Sequence, residues 1–378
     1  MAKILFITEF FWPATGGIEV RAKSFLPAMV ERGHQYVVLT TREPDDGLPE
    51  DDEVDGIPLV RLPYPAALWT GDFKEIVRSR QRFSALLREF EPDIVHIFYG
   101  GTLAMLPLEK ATPNPPVLAS FTTWPIEKEA LLESTLGRLL QRAAWVTTNS
   151  LRLVEVLRTL VPAVTMNSSV IYSGNPWPNI EPEPLPSNPG TILCLGRVIE
   201  RKGFDLMIRA MPEILVRFPD TLLRIIGDGE AMMTLRQLVA QLGLEDRVSF
   251  EGMMSHAGVS AAINQCSFVA IPTRWAEPFA TVAIETMQMG RPCIATRCGG
   301  MEEAVVDGET GFLVPEEDVD ALARAAIALL GDPERASQMG RCGRDRALTV
   351  HGWQRYLEAF DSIYARLADR QVNRTSPD

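Results

Sequence analysis

Apolar residues along this 378-residue chain fall into two kinds of stretch, and the two kinds alternate. Short unbroken runs read as buried strands: 3–8, 36–40, 93–98, 117–121 and 145–148, with a further candidate at 57–62. Longer stretches carry their apolar residues at helical spacing. In 73–90 the apolar positions are Phe73, Ile76, Val77, Phe83, Leu86, Leu87 and Phe90, while Lys74, Arg78, Arg82 and Arg88 occupy the rest. Helices are also expected up to about Glu31, over 127–142, and from Ser150 onward. The acidic segment 43–55 reads as a solvated loop.

The same alternation resumes after residue 190. Strands are expected at 191–195, 222–226, 248–250, 268–271 and from Pro292. Helices are expected at 204–217, 231–242, 256–265, from about Phe279 to Gly290, at 320–330 and 333–348, and at 353–367. Strands alternating with helices predict an α/β fold built on parallel sheets. Between the two series lies 175–190, rich in proline, which predicts a stiff extended connector. The division is therefore 1–174, a Rossmann-like domain; 175–190, a linker; 191–352, a second Rossmann-like domain; and 353–378, a terminal helix with a frayed tail. Two such domains imply a cleft lined by strand ends from both.

Composition narrows the function more than the fold. A net charge of -12 argues against a nucleic-acid groove, so any acidic ligand needs a locally basic site. The five cysteines are Cys194, Cys266, Cys293, Cys298 and Cys342, with no Cys-x-x-Cys pair, which suits a reduced cytoplasmic setting. The first strand reaches Thr8-Glu9 too soon for a signal peptide, and no apolar run is long enough to span a membrane.

Candidate chemistry concentrates in 274–290. Glu277 falls on a loop at the carboxyl end of a strand, and Glu285 lies in the first turns of the helix that follows. Ligands of open parallel sheets bind at that end of the strands, and free N–H groups at a helix start suit an anion. Two carboxylates for hydroxyl groups and a helix start for phosphate fit a nucleotide sugar; a solvated loop glutamate and an ordinary helix glutamate fit the spacing as well. The loop Gly196-Arg-Val-Ile-Glu-Arg-Lys-Gly203 presents Arg197 and Lys202 after a strand, where two cations can neutralise a diphosphate. Pro13-Ala-Thr-Gly-Gly-Ile-Glu19 is a glycine loop between strand and helix, yet lacks the Gly-x-Gly-x-x-Gly spacing of a dinucleotide site. His96 ends a strand and either faces the cleft or is satisfied within the core. His34, His256 and His351 lack metal-ligand spacing. Asp318-Val-Asp320 precedes an apolar helix, where Asp is a normal N-cap.

Taken in order, these pieces resemble the retaining glycosyltransferases of family 4, which have the two-Rossmann-domain GT-B fold. The resemblance runs through Pro13 to Glu19, Gly196-Arg197, Lys202-Gly203, Glu277-Pro-Phe, Glu285, Gly290, Pro292, Gly299-Gly300 and Asp307-Gly-Glu-Thr-Gly-Phe-Leu313. It implies that Gly16 and Gly17 let the backbone approach the diphosphate, and that Arg197 and Lys202 hold the phosphates. It implies that Glu277 contacts the transferred sugar, with the backbone of Phe279, Ala280 and Thr281 close to sugar and phosphate. Glu285 would hold the ribose hydroxyls. Met253 and Met254, after Phe250-Glu-Gly252, fall where the base packs, and core packing explains those methionines at least as readily. It also implies that the terminal helix returns to the N-terminal domain. Two positions depart from the family. Ala280 replaces a usual glycine, and Thr122 stands where many members carry a histidine near the sugar; a hydroxyl hydrogen-bonds but supplies no imidazole.

The expected activity is a hexosyl transfer with retention from a nucleotide-diphosphate sugar, UDP by default, to an acceptor hydroxyl on a glycan, lipid or small molecule. No metal and no cofactor is expected. A nucleotide-sugar-binding protein with little transfer is the alternative that Thr122 suggests. A second alternative is a transferase working at the inner membrane face on a lipid-linked acceptor, touching it through the basic 73–90 helix, Trp69 and Trp124.

Overall fold

The computed structural model describes the chain except residues 14–16, 45, 99–100, 109–114, 125–133, 175, 177–180, 187–189 and 376–378. It divides into two units, Met1–Tyr172 with Tyr356–Asp378, and Ser173–Arg355.

The first unit is built on an eight-stranded sheet. Its strands are β1 (Lys3–Ile7), β2 (Gln35–Thr41), β3 (Asp51–Val54), β4 (Ile57–Leu62), β5 (Ile94–Phe98), β6 (Val117–Phe121), β7 (Trp145–Thr148) and β8 (Ser168–Val170). Their order is β3-β4-β2-β1-β5-β6-β7-β8, and every pair is parallel except β3 with β4. The central strands are buried on both faces, which is why they read as unbroken apolar runs.

The acidic segment 43–55 is not wholly a loop, as its composition predicted, because Asp51–Val54 forms the antiparallel edge strand β3. Buried Arg61 explains the difference. Its guanidinium ion-pairs with Asp52 at 2.7 Å and donates to the carbonyls of Pro49 and Trp12 at 3.2 and 3.1 Å. The remaining charge on this edge faces water, where it blocks pairing with another strand. The helix expected at 127–142 is seen as Thr135–Arg142, N-capped by Ser134; its first part lies outside the described residues. A helix at Tyr64–Thr70 and a 3-10 helix at Gly101–Leu108 also belong to this unit and carry no clear periodic signal.

The terminal helix Trp353–Thr375 enters the first unit from Tyr356 onward. Tyr356, Phe360, Tyr364 and Leu367 are buried there, with Phe360 edge-on to Phe25 at 5.1 Å.

The second unit holds an all-parallel sheet: β9 (Thr191–Leu195), β10 (Leu222–Ile226), β11 (Val248–Gly252), β12 (Phe268–Ile271), β13 (Cys293–Thr296) and β14 (Gly311–Val314). The order is β11-β10-β9-β12-β13-β14. The chain winds outward from β9 in one direction, then restarts at β12 and winds in the other. The neighbours β9 and β12 therefore frame a topological switch point, the place where ligands of open parallel sheets bind. The described part of the proline-rich segment lies on this unit. Buried Arg291 donates to the carbonyls of Glu183 and Pro184 at 2.9 and 3.4 Å.

Candidate active site

The loops leaving β9 and β12 carry most of the residues singled out by sequence. Pairing of Ile192 with Phe268 and Leu193 with Val269 sets the two loops side by side. After β9 comes Gly196 at φ 135°, then exposed Arg197, then a 3-10 turn over Glu200–Lys202 closed by Gly203. Gly203 sits at φ 68°, and a Cβ there would lie 1.9 Å from the carbonyl oxygen of Pro272. Only glycine permits that approach, which brings Lys202 up to the second loop. The Lys202 ammonium forms an ion pair with Oε1 of Glu277, both side chains being half-buried.

Further contacts lace the loops together. The Arg274 amide donates to the Arg201 carbonyl at 2.9 Å, and the Thr273 hydroxyl to the same oxygen at 3.1 Å. The Arg274 guanidinium grips Asp205 through two bonds, 2.6 and 2.9 Å, and donates to the Glu200 carbonyl at 3.1 Å. Its Nε pairs with Glu317. The Arg201 guanidinium lies 5.2 Å from the centre of the Trp275 ring. Burial alone would push the Asp205 carboxyl up; the hydrogen bonds and charge of Arg274 outweigh it and hold it below its ordinary value. Sequence reading missed this clamp. Arg274 lies just past Pro272-Thr273 on the loop after a strand and Asp205 just past Gly203-Phe204, but their meeting depends on β9 and β12 being neighbours, which the strand order alone reveals.

Beneath Glu277 lie Gly299 and Gly300. The Gly300 amide donates to the Glu277 carbonyl at 2.8 Å. A Cβ on Gly299 would stand 2.3 Å from that carbonyl oxygen, and one on Gly300 2.0 Å from the Pro278 oxygen. The glycine pair is thus the floor on which the Glu277-Pro278-Phe279 loop rests. The helix expected from Phe279 begins at Thr281, with Ala280 as an N-cap that offers no side-chain hydrogen bond. Its first amides are accordingly not capped by Ala280. Ala280 is buried, so its methyl is accommodated, and Phe279 packs against the His351 ring at 5.3 Å. Glu285 is half-buried in the second turn. Met253, after β11 at the same end of the sheet, is 81% exposed, so core packing does not explain it.

The residues expected from the first unit fare differently. Gly16 lies outside the described residues, and Gly17 begins the helix Gly17–Glu31. Thr122 follows β6; its hydroxyl is buried without a hydrogen-bond partner, while its carbonyl accepts from Asn149 Nδ2 at 3.4 Å. His96 is a core residue and not a cleft-facing one. It is fully buried on β5, its Nδ1 2.7 Å from the Tyr364 hydroxyl and its Nε2 2.7 Å from the Ser120 hydroxyl. Burial pushes its pKa down to about 3, so the ring is neutral. Asp318 caps its helix by accepting from the Ala321 amide at 2.8 Å. Among the described residues no group of three or more His, Cys, Asp or Glu is placed to hold a metal.

The arrangement offers two cations, a carboxylate and a helix start that Ala280 does not cap through a side chain, all at one switch point. Two protein families match the chain. "Glycosyl transferases group 1" covers residues 177–346, and "Glycosyl transferase 4-like domain" covers 16–166. A GDP-mannose-dependent alpha-(1-6)-phosphatidylinositol monomannoside mannosyltransferase of Mycolicibacterium smegmatis is 38% identical over 43% of this chain and 44% of its own length. A phosphatidyl-myo-inositol mannosyltransferase of Mycobacterium leprae is 28% identical over 97% of both. The chain thus spans about half the length of the first relative and nearly all of the second. Among solved structures, sucrose-phosphate synthase from Thermosynechococcus elongatus superposes with a TM-score of 0.79 at 24% identity, covering 100% of both chains. The two matched segments divide nearly the whole chain between them, and with this likeness of fold they establish that the chain belongs to the glycosyl transferases of group 1 and has the GT-B fold.

Proposed function

We propose that the protein is a retaining glycosyltransferase that moves a sugar from a nucleotide-diphosphate sugar to an acceptor hydroxyl without a metal ion. The observation that carries this reading is the Lys202–Glu277 pair at the β9–β12 switch point. Cleaving the anomeric bond leaves positive charge on the sugar and negative charge on the departing diphosphate. Lys202, Arg197 and the start of the Thr281–Gln288 helix would meet the second charge. In the ligand-free protein the Lys202 ammonium is held by Glu277. An arriving phosphate competes for that ammonium, which frees the carboxylate to accept hydrogen bonds from sugar hydroxyls. Glu277 is therefore a positioning group, and retention follows from attack on the face the leaving group departs from. Glu285 would hold the ribose.

UDP was the first expectation for the nucleotide. The donor in the name of the Mycolicibacterium relative makes GDP-mannose the one to test beside it. The phosphatidylinositol in both names makes a lipid-linked acceptor the one to test; our reading places the enzyme on the cytoplasmic side, peripherally bound. Among the described residues no helix is long and apolar enough to cross a membrane.

Thermal-shift measurements with GDP, UDP, ADP and their sugars, all in excess EDTA, test the reading, since a ligand bound only by the folded state raises Tm. One nucleotide series should stabilise the wild type, and Arg197→Ala and Lys202→Ala should each lose at least about tenfold in affinity, the value of roughly 1.4 kcal/mol. Stabilisation that vanishes in EDTA and returns with magnesium or manganese would refute the metal-free mechanism.

A further inference from the structure

The loop that delivers Glu277 leaves β12, and the segment beside it leaves β13. Within the sheet the two strands pair in the usual way, Val269 with Cys293, Ala270 with Ile294 and Ile271 with Ala295. Past the sheet the pairing continues with different donors. The Thr296 hydroxyl donates to the Thr273 carbonyl at 2.6 Å, the Cys298 thiol to the Trp275 carbonyl at 3.5 Å, and the Gly300 amide to the Glu277 carbonyl at 2.8 Å. Each step of two residues on one segment is matched by a step of two on the other, which is the spacing of a strand ladder.

Side chains stand in for backbone here because the nearby amides are taken. The Arg297 amide donates to the Val314 carbonyl at 2.8 Å, and the Cys298 amide turns back to the Thr296 carbonyl at 3.0 Å. The backbone supplies a donor again at Gly300, after Gly299 turns the chain at φ 56°. Thr296, Thr273 and Cys298 are all buried, so the first two rungs are shielded from water. Burial, together with the carboxylates of Glu316, Glu277 and Glu302, pushes the Cys298 thiol up against the opposing pull of the Thr296 hydroxyl. The thiol therefore keeps the proton that it donates. A valine or an alanine would pack under the loop as well; packing does not explain why each donor falls on its own carbonyl.

We propose that Thr296 and Cys298 are positioning residues for the transfer: by holding the carbonyls of Thr273 and Trp275 they fix where the loop presents the Glu277 carboxylate. The opposite edge of the loop is held by Arg274, so the segment between is tied on both sides. This inference rests on the reading of Glu277 as the group that meets the transferred sugar. Misplacing a positioned group by about 1 Å costs on the order of a hundredfold, so loss of one rung should show as a smaller, measurable fraction of that.

The test is calorimetry with GDP and GDP-mannose, and with UDP and UDP-glucose, on the full chain. Cys298→Ala and Thr296→Val should each weaken binding of the nucleotide sugar by about fivefold and leave the matching nucleoside diphosphate within about twofold. Cys298→Ser and Thr296→Ser keep a hydroxyl donor and should restore the wild-type ratio of the two affinities. In a Glu277→Gln background the alanine and valine substitutions should leave that ratio unmoved, since they act through the carboxylate already lost. Wild type binding none of the four probes would overturn the transferase reading and this inference with it. Wild type binding a pair whose ratio stays the same in both variants would overturn the positioning role alone. So would proportionate loss of both ligands, a lower Tm with an unchanged ratio, serine variants that fail to restore it, or an effect that persists without the Glu277 carboxylate. Should Thr296→Val fail to fold, the Cys298→Ala and Cys298→Ser pair decides the matter.

Discussion

Replacing Arg274 by alanine removes the side-chain clamp between the two site loops and leaves Lys202 and Glu277 in place. The lost contacts are the two bonds to Asp205, the bond to the Glu200 carbonyl and the pair with Glu317. Hydrogen bonds to charged groups contribute about 1.5–3 kcal/mol each when shielded from water. Arg274 and Asp205 are each 23% exposed, and Glu317 is more exposed still, so screening reduces the sum. A net loss of roughly 2–4 kcal/mol is expected, on the order of ten degrees in Tm. The pH dependence is a second, sharper readout. Arg274 holds the folded-state Asp205 carboxyl below its ordinary value. A carboxyl depressed on folding contributes stability above its unfolded pKa, about 3.9, and that contribution is lost as pH falls through the folded value. The gap between wild type and Arg274→Ala should therefore be widest near neutrality and close in acid. Urea denaturation across that range measures it. Arg274→Lys should recover only part of the gap, because one ammonium cannot reproduce the two-point grip on Asp205. A gap under about 0.5 kcal/mol at neutral pH, the scatter of ordinary surface substitutions, or a gap that does not change with pH, would refute the clamp.

Gly300→Ala should displace the Glu277-Pro278-Phe279 loop, since the added methyl would meet the Pro278 carbonyl at 2.0 Å. The expected cost is about 1–3 kcal/mol of stability together with weaker nucleotide binding. An unchanged Tm with unchanged affinity would show that the loop has room to spare. Glu285→Gln should weaken nucleotide binding in calorimetry while leaving Tm within about a degree or two, as expected of a near-isosteric change that keeps the side chain's packing; unchanged affinity would remove it from the ribose site.

Much of the architecture could be read from the chain because strands buried on both faces cannot hide. Lys3–Ile7, Ile94–Phe98 and Thr191–Leu195 are almost wholly apolar for that reason. The edge strand β3 escaped because its residues are chosen for water and for Arg61, a residue outside any local window. The site divides along the same line. Lys202 and Glu277 could be named from their loops, whereas their pairing depends on β9 lying beside β12. His96 was ambiguous on β5, because both readings put a histidine in an apolar run. Its partners Ser120 and Tyr364 come from a neighbouring strand and from the far end of the chain.

The return of the chain to its first unit sets a timetable for biosynthesis. Ser173–Arg355 emerges from the ribosome as an uninterrupted segment and holds every strand of its own sheet, so it can close as soon as it is made. The earlier-made unit cannot. His96 lacks its Nδ1 partner, His34 lacks Asp361, and Phe25 lacks Phe360 until the terminal helix is released. A nascent chain halted at Arg355 should thus resist protease in its later half and yield in its earlier half. The part translated first would be the last to finish, waiting with an open groove for a helix still inside the ribosome.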